Sequence, residues 1–263
     1  MAPVRVKFDP ADHAVQVEAC LATVMDPELD EAVTELGFIT EVELVGAGEV
    51  HIGFRLPTYW CAANFAFLMA DDMRRAVLTL PWVSQVQVQL HEHMYAEAIN
   101  AGVATGGGFQ AAFGAAAEGG LEALRTTFLV KAFQRRQEAL LQHLLDAGLE
   151  AAVLVAMDRN ALLRLTLDAE GENLVGRYMQ RRDEAGDGEL AFVNSDGQAL
   201  ATDGLPRYLR GLRRVGVNAE FNGALCRGLL AVRDGAQQGA SPTQPQFQPI
   251  HFVRQPAERI AVS

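Results

Sequence analysis

The hydrophobic period of the chain switches from two to about 3.6 and back to two between residues 42 and 90. Apolar and polar residues alternate over 42–44 and 50–56, and Gly46-Ala47-Gly48 separates the two runs. This pattern predicts a hairpin of two half-buried strands. From Trp60 to Leu80 the apolar residues recur at helical spacing, and alternation returns over 83–90. The segment is therefore predicted to fold as strand, strand, helix, strand.

A further helix precedes these strands. Asp9-Pro10 is a typical helix start, because Asp caps the first turn and Pro fits within it. Asp26-Pro27 marks its end, because a residue before proline disfavours the helical conformation. The order helix, strand, strand, helix, strand belongs to the α/β (α+β) class. We expect a small three-stranded sheet with helices on one face, followed by a mostly helical C-terminal region.

The second half of the chain gives the domain organisation. Residues 101–120 are rich in Gly and Ala, which is typical of a linker. An amphipathic helix is predicted at 121–145, with a basic edge of Lys131, Arg135 and Arg136. More helices are predicted at about 149–165, 205–215 and 224–232. The predicted domains are an α/β domain at 1–102, a linker at 103–120, a mostly helical region at 121–235 and a largely disordered tail at 236–263.

Charge and cysteine usage narrow the class of protein. The net charge of −11 disfavours nucleic acid as a partner. The first 100 residues hold 15 of the 33 acidic residues but only 5 of the 22 basic ones. This difference suggests that the chain has two modules. The alternative is that the acidic residues simply give the first part a soluble surface. No apolar run reaches the ~20 residues of a membrane span, and the first ten residues do not resemble a signal peptide. Three cysteines far apart favour free thiols and a cytoplasmic location.

Cys61 is the strongest candidate for chemistry. It follows a predicted strand and a Pro57-Thr58 break, so it is predicted to lie in the first turn of the next helix with Thr58 as N-cap. There the helix dipole and free backbone N–H groups stabilise a thiolate, the metal-binding form. From position alone, a small buried core cysteine is about as well supported. Cys20 and Cys226 lie in apolar helical runs and are predicted to be core residues.

Two pairs of polar residues are weaker candidates. Asp26 and Glu28 flank Pro27, and two such carboxylates can coordinate a hard cation, although capping of the next turn explains them better on position alone. His91 and His93 close the third strand. Alternation would point both to the same side, making a candidate imidazole pair for iron or zinc. Two solvated histidines at an exposed strand end are the favoured alternative.

The combination of these motifs resembles a known family. Asp26-Pro27-Glu28, then Leu36-Gly37-Phe38-Ile39, then the hairpin and Cys61 resemble the SufT-like and PaaD-like iron–sulfur cluster assembly family over about residues 12–102. Family members usually have Pro directly after the cysteine and often two residues before it. Here Ala62 and Tyr59 occupy those positions, which is closer to the PaaD-like version.

The resemblance implies an accessory protein that is not an enzyme. It implies iron or an iron–sulfur cluster bound transiently at Cys61, with Asp26 and Glu28 nearby. The whole chain is similar to long versions encoded beside soluble binuclear-iron monooxygenases, which implies a client metalloenzyme of the diiron hydroxylase type. The region 121–235 has no counterpart in the minimal family, so we expect it to recognise that client.

Three hypotheses remain open from the sequence. The first is a maturation factor that assembles an iron site in a client through Cys61. The second is an adaptor that binds the client without metal. The third is an enzyme with Cys61 as nucleophile, which is the weakest because the thiol needs a base and only His91 and His93 are available.

Overall fold

The computed structural model of the chain describes residues 10–46, 48–114 and 121–237. Its first part has the predicted order of elements and confirms the α+β class. The predicted tail at 236–263 lies outside the described residues beyond Gln237. The elements of the first part are α1 (Pro10–Leu21), β1 (Ile39–Val45), β2 (Glu49–Arg55), α2 (Ala63–Leu78), β3 (Gln85–His91), α3 (Ala96–Thr105) and α4 (Gly108–Phe113).

The three strands form one sheet in the order β1-β2-β3. The hairpin pair β1 and β2 is antiparallel, whereas β2 and β3 are parallel. A parallel pair needs a crossover and not a tight turn, and α2 supplies it. The register sets Val50 beside Val86 and Phe54 beside Leu90, so the apolar side chains of both strands lie on one face. The helices cover that face, and the other face carries exposed polar residues.

Helices α3 and α4 occupy much of the segment that we expected to be a linker at 103–120. Ile99 and Val103 are buried in the first core, and Phe109 and Phe113 pack against it. Gly102 allows this approach, because a Cβ there would lie 2.9 Å from the Phe67 ring. Small residues in this stretch therefore permit close packing, and residues up to 113 belong structurally to the first part.

The C-terminal region is mostly helical, as predicted. Its helices bury a second core that includes Phe133, Leu140, Tyr178 and Phe192. The elements are α5 (Leu121–Asp146), α6 (Ala151–Ala156), α7 (Arg159–Leu163), α8 (Ala169–Arg182), a 3₁₀ turn (Asp183–Ala185) and α9 (Leu205–Gln237).

Helix α9 joins the two cores. The helices predicted at 205–215 and 224–232 are one continuous helix, because the glycines between them weaken a helix by only about 1 kcal/mol each and no proline interrupts it. Leu205 at its start is buried in the second core, and Leu230 near its end is buried in the first. Within the described residues, no helix is both long and apolar enough to cross a membrane.

A buried ion pair also joins the two parts. Arg136 of α5 holds both carboxylate oxygens of Asp30, at 2.6 and 2.8 Å, and both side chains are buried. The basic edge predicted from the sequence is therefore only partly exposed. Arg136 points inward to compensate a buried carboxylate, Arg135 is half-buried, and Lys131 is the exposed residue of that edge.

Candidate functional site

Cys61 lies in the loop before α2 and not in the first turn of the helix. The helix begins at Ala63 with Ala62 as N-cap, so the cysteine precedes the cap. Thr58 does not cap the helix as predicted. Its backbone oxygen instead accepts from the Cys61 N–H at 3.5 Å, closing a turn, and its Oγ1 lies 3.1 Å from the Cys61 Sγ. Cys61 is half-buried.

His93 holds the same loop from the opposite side. Its Nε2 lies 2.8 Å from the backbone oxygen of Cys61, and its Nδ1 accepts from the Tyr95 N–H at 3.1 Å. A neutral ring protonated on Nε2 satisfies both bonds. Because both ring nitrogens are engaged and neither bonds the thiol, His93 is placed to position Cys61 and not to act as its base. The nucleophile hypothesis therefore loses one of its two candidate bases.

His91 and His93 do not form the predicted pair. Glu92 between them has a left-handed φ of 50°, which breaks the alternation of the strand. His91 is exposed on the polar face of the sheet, where its Nε2 would lie 3.2 Å from a Cβ at Gly53. His93 turns into the protein. The favoured alternative of two solvated histidines is correct for His91 and wrong for His93.

Asp26 lies in a buried turn, only 8% exposed. Its Oδ1 accepts from the N–H groups of Glu28 at 2.9 Å and Leu29 at 2.7 Å, so it caps the turn as the simpler alternative predicted. Burial disfavours the charged carboxylate more than these two hydrogen bonds favour it, and the pKa of Asp26 rises to about 6. An ionised Asp26 at neutral pH therefore lacks full compensation within the protein.

Helix α9 packs against this turn. Asn222 Nδ2 donates to Glu28 Oε1 at 2.7 Å, and Arg227 Nη1 pairs with Glu31 Oε1 at 2.7 Å. Glu28 thus has a partner on α9, which the sequence did not predict. These contacts place the residues between Asn222 and Arg227 directly over the Asp-Pro-Glu turn.

Cys226 lies on α9 between Asn222 and Arg227. It is half-buried and packs against the first core, as Cys61 does. Burial, followed by the negative charges of Asp26, Cys61 and Glu28, raises the pKa of the Cys226 thiol to about 11. The sequence predicted Cys226 to be a core residue, and it does pack against the first core, although it is only half-buried.

Exposed apolar side chains surround the loop of Cys61. Tyr59 and Trp60 precede the cysteine and are 57% and 69% exposed, and Met94 and Tyr95 are also exposed. The Met94 N–H donates to the Tyr59 backbone oxygen at 3.0 Å, so the two segments lie side by side. Large aromatic residues and Met are enriched in protein–protein interfaces. The thiol is therefore framed by side chains that suit contact with another protein.

The candidate donor types suit iron, since thiolates favour soft and borderline metals and a carboxylate adds a hard ligand that iron accepts. Among the described residues, however, no three His, Cys, Asp or Glu side chains form a group able to hold a metal.

Comparison with known proteins bears on the N-terminal part. Residues 14–90 match the family model described as "Iron-sulfur cluster assembly protein". Residues 14–90 are therefore similar in sequence to that family. The matched segment includes Asp26, Glu28 and Cys61. It ends before His91, and helices α5–α9, with Cys226, lie outside it.

One curated relative supports the same family. The iron-sulfur cluster carrier protein of Mycobacterium leprae (strain TN) is 29% identical over 86 residues, which cover 33% of this chain. The match spans only 22% of that protein's length. The similarity to the carrier therefore concerns one segment of each protein.

Proposed function

We propose that the protein is a carrier or maturation factor that holds iron or an iron–sulfur cluster transiently at Cys61 and delivers it to a client metalloenzyme. The observation that supports this most is the position of Cys61, half-buried in a loop held by Thr58 and His93, inside the segment that matches the assembly family. We propose a cytoplasmic, non-catalytic role.

Thr58, His93 and Asp26 have distinct parts in this proposal. The Thr58 hydroxyl lies 3.1 Å from the sulfur, within reach to donate to a metal-bound thiolate. His93 fixes the loop through the Cys61 carbonyl. Asp26 would supply a carboxylate ligand, because burial leaves its negative charge incompletely compensated and raises its pKa to about 6.

The client of the proposal is a soluble diiron monooxygenase, and this part rests on the sequence resemblance alone. The exposed Tyr59, Trp60, Met94 and Tyr95 would form the contact next to the cargo. The region 121–235 would extend this contact surface for the client. Lys131, Arg135 and Arg214 line a cavity of about 280 Å³ that also contacts Glu28. Charge reversal for a client-binding test therefore belongs at the exposed Lys131, because Arg135 is half-buried and Arg136 is buried.

The division into an independent domain at 1–102 and a client-binding region at 121–235 also remains a proposal. Val103 and Leu230 are both buried in the first core. A fragment that ends at residue 102 would lose Val103 and the α4 packing, so we propose 10–113 as the better boundary for the α/β part, although this fragment still lacks Leu230 of α9.

Iron should protect Cys61 from alkylation. In metal-free protein we expect Cys61 to react with iodoacetamide before Cys20, because it lies in a loop and not on a packed helix. Ferrous iron, added without oxygen, should slow labelling of Cys61 by at least about tenfold, since a coordinated thiolate is a poor nucleophile. Mass spectrometry of the labelled peptides measures both sites. Cys20 is the internal control and should label equally with and without iron.

Labelling of Cys61 that is unaffected by iron would contradict the carrier proposal. The metal-free adaptor would then take its place, with the aromatic surface around Cys61 as its docking site.

A further inference from the structure

We propose that the protein binds a small dianion, an organic phosphate or a dicarboxylate, in the cavity between α5, α9 and the Asp-Pro-Glu turn. Three cationic side chains, Lys131, Arg135 and Arg214, line this cavity of about 280 Å³ together with Glu28 and Phe128. The proposal concerns a ligand other than iron, and it stands whether or not the carrier function does.

The first argument is the charge of the cavity lining. Among the described residues, no carboxylate forms an ion pair with Lys131, Arg135 or Arg214. The one carboxylate of the lining, Glu28, accepts from the uncharged Asn222 at 2.7 Å. Three cations and one carboxylate leave two positive charges in excess, in a chain whose net charge is −11. A dianion neutralises both of these charges, whereas a single Asp or Glu side chain of another protein would neutralise only one.

The second argument is the guanidinium group of Arg135. Its Nε and Nη2 are buried and have no hydrogen-bond partner among the described residues. Asp30, which lines a neighbouring cavity with Arg135, does not serve these donors, because Arg136 holds both of its oxygens. Buried polar groups in folded proteins nearly always have a partner. A phosphate or carboxylate group in the cavity supplies acceptors that match the charge and the planar fork of a guanidinium.

The third argument is the size and the apolar wall of the cavity. Its volume lies just below the roughly 300–1,000 Å³ of pockets for drug-sized ligands, so it admits a compact molecule. Phe128 and Val215 give it apolar surface. The Lys131 amine lies 4.7 Å from the centre of the Phe128 ring, and this ring meets Phe65 edge-on at 4.9 Å. A small organic anion matches this lining, with its carbon atoms against the apolar wall and its oxygens towards the cations.

Calorimetric titration of the full-length protein tests the site at about pH 8, where a phosphate group is a dianion. The probes are inorganic phosphate, succinate and, as the monoanion, acetate. Ionic strength is matched throughout, because salt screens exposed charges. We expect saturable binding of phosphate or succinate, and a thermal midpoint that rises with the concentration of the bound probe. Whichever of the two binds more tightly identifies the ligand class as a phosphate compound or a dicarboxylate.

Three variants locate the binding. Arg135→Gln and Arg214→Gln should each weaken it at least about tenfold, because each removes a charged donor. Arg207→Gln is the matched control, since Arg207 is exposed on the same helix as Arg214 and does not line the cavity. Its affinity should equal that of wild type. Circular dichroism checks that each variant folds. Because Arg214 is exposed, Arg214→Gln keeps the test decisive even if Arg135→Gln is unstable.

Binding that is weakened in the two cavity variants and kept in Arg207→Gln supports the proposal. No saturable binding of phosphate or succinate would overturn it, and so would equal affinity in Arg214→Gln and Arg207→Gln. Acetate that binds as tightly as succinate would overturn the dianion assignment in favour of a single carboxylate, such as an acidic side chain of a client. None of these outcomes bears on iron at Cys61, so the two proposals fail separately.

Discussion

Replacing Arg136 by alanine is expected to lower the free energy of unfolding by about 3–5 kcal/mol. Arg136 binds both oxygens of Asp30, and the two side chains are 4% and 5% exposed. Its Nη1 also donates to the Arg177 backbone oxygen and to Gln180 Oε1. The variant would leave a buried carboxylate without its bidentate partner. Arg177, at 3.8 Å and half-exposed, compensates only part of that charge.

Urea denaturation followed by circular dichroism measures this loss. Arg213→Ala is the matched control, because Arg213 pairs with Glu220 at 2.8 Å but is 53% exposed, and solvent screening keeps its contribution below about 1 kcal/mol. The expected order is therefore a large loss for Arg136→Ala and a small one for Arg213→Ala. Equal small losses in both variants would contradict the buried junction between the two cores.

Replacing Asp26 by asparagine is expected to stabilise the fold at neutral pH while weakening cation binding. The asparagine Oδ1 can still accept from the N–H groups of Glu28 and Leu29. The asparagine has no charge to bury. In the wild-type protein, a pKa of Asp26 raised from 3.8 to about 6 corresponds to a cost of up to about 3 kcal/mol for folding with the carboxylate ionised.

The sign of the pH dependence follows from the raised pKa. The folded chain holds the Asp26 proton more tightly than the unfolded chain does. The contribution to stability is therefore fully present below about pH 4 and is lost as the pH rises through about 6. The advantage of Asp26→Asn over wild type should grow across that window and stay constant above it.

Chemical denaturation of both proteins across this pH window tests the expectation. Asp12→Asn serves as control, since Asp12 is exposed on α1 and its replacement should give no such trend. An Asp26→Asn protein less stable than wild type at neutral pH would show that the carboxylate stabilises the turn. Proteins retain destabilising groups where function needs them. A costly carboxylate in the segment that matches the assembly family fits that rule.

The α/β part was predictable because hydrophobic period reports secondary structure directly. The alternation around Val50 and Val88 and the helical spacing after Trp60 gave the right elements in the right order. The details at element ends were not predictable in the same way. Cys61 was placed inside the helix because a turn closed by Thr58 has the same sequence pattern as a capped helix. A single left-handed residue, Glu92, reversed the side to which His93 points.

The features that join the two parts could not be read from the sequence. Arg136 was taken for a surface residue because a basic position on an amphipathic helix is usually solvated, and nothing local indicated Asp30 as its partner. The assignment of Cys226 to the core agrees with its half-buried packing against the first core, whereas the contact of α9 with Glu28 is tertiary and has no local sequence signal. Non-local packing therefore decides which residues reach the candidate site.

The most direct test of the account is retention of iron by Cys61. Full-length protein and Cys61→Ser, each incubated with ferrous iron and sulfide without oxygen and then desalted, are compared by iron and acid-labile sulfide analysis. Circular dichroism confirms that both remain folded. The account predicts that wild-type protein retains iron and that Cys61→Ser retains almost none. Equal retention by the two proteins, or no iron on wild-type protein, would contradict it.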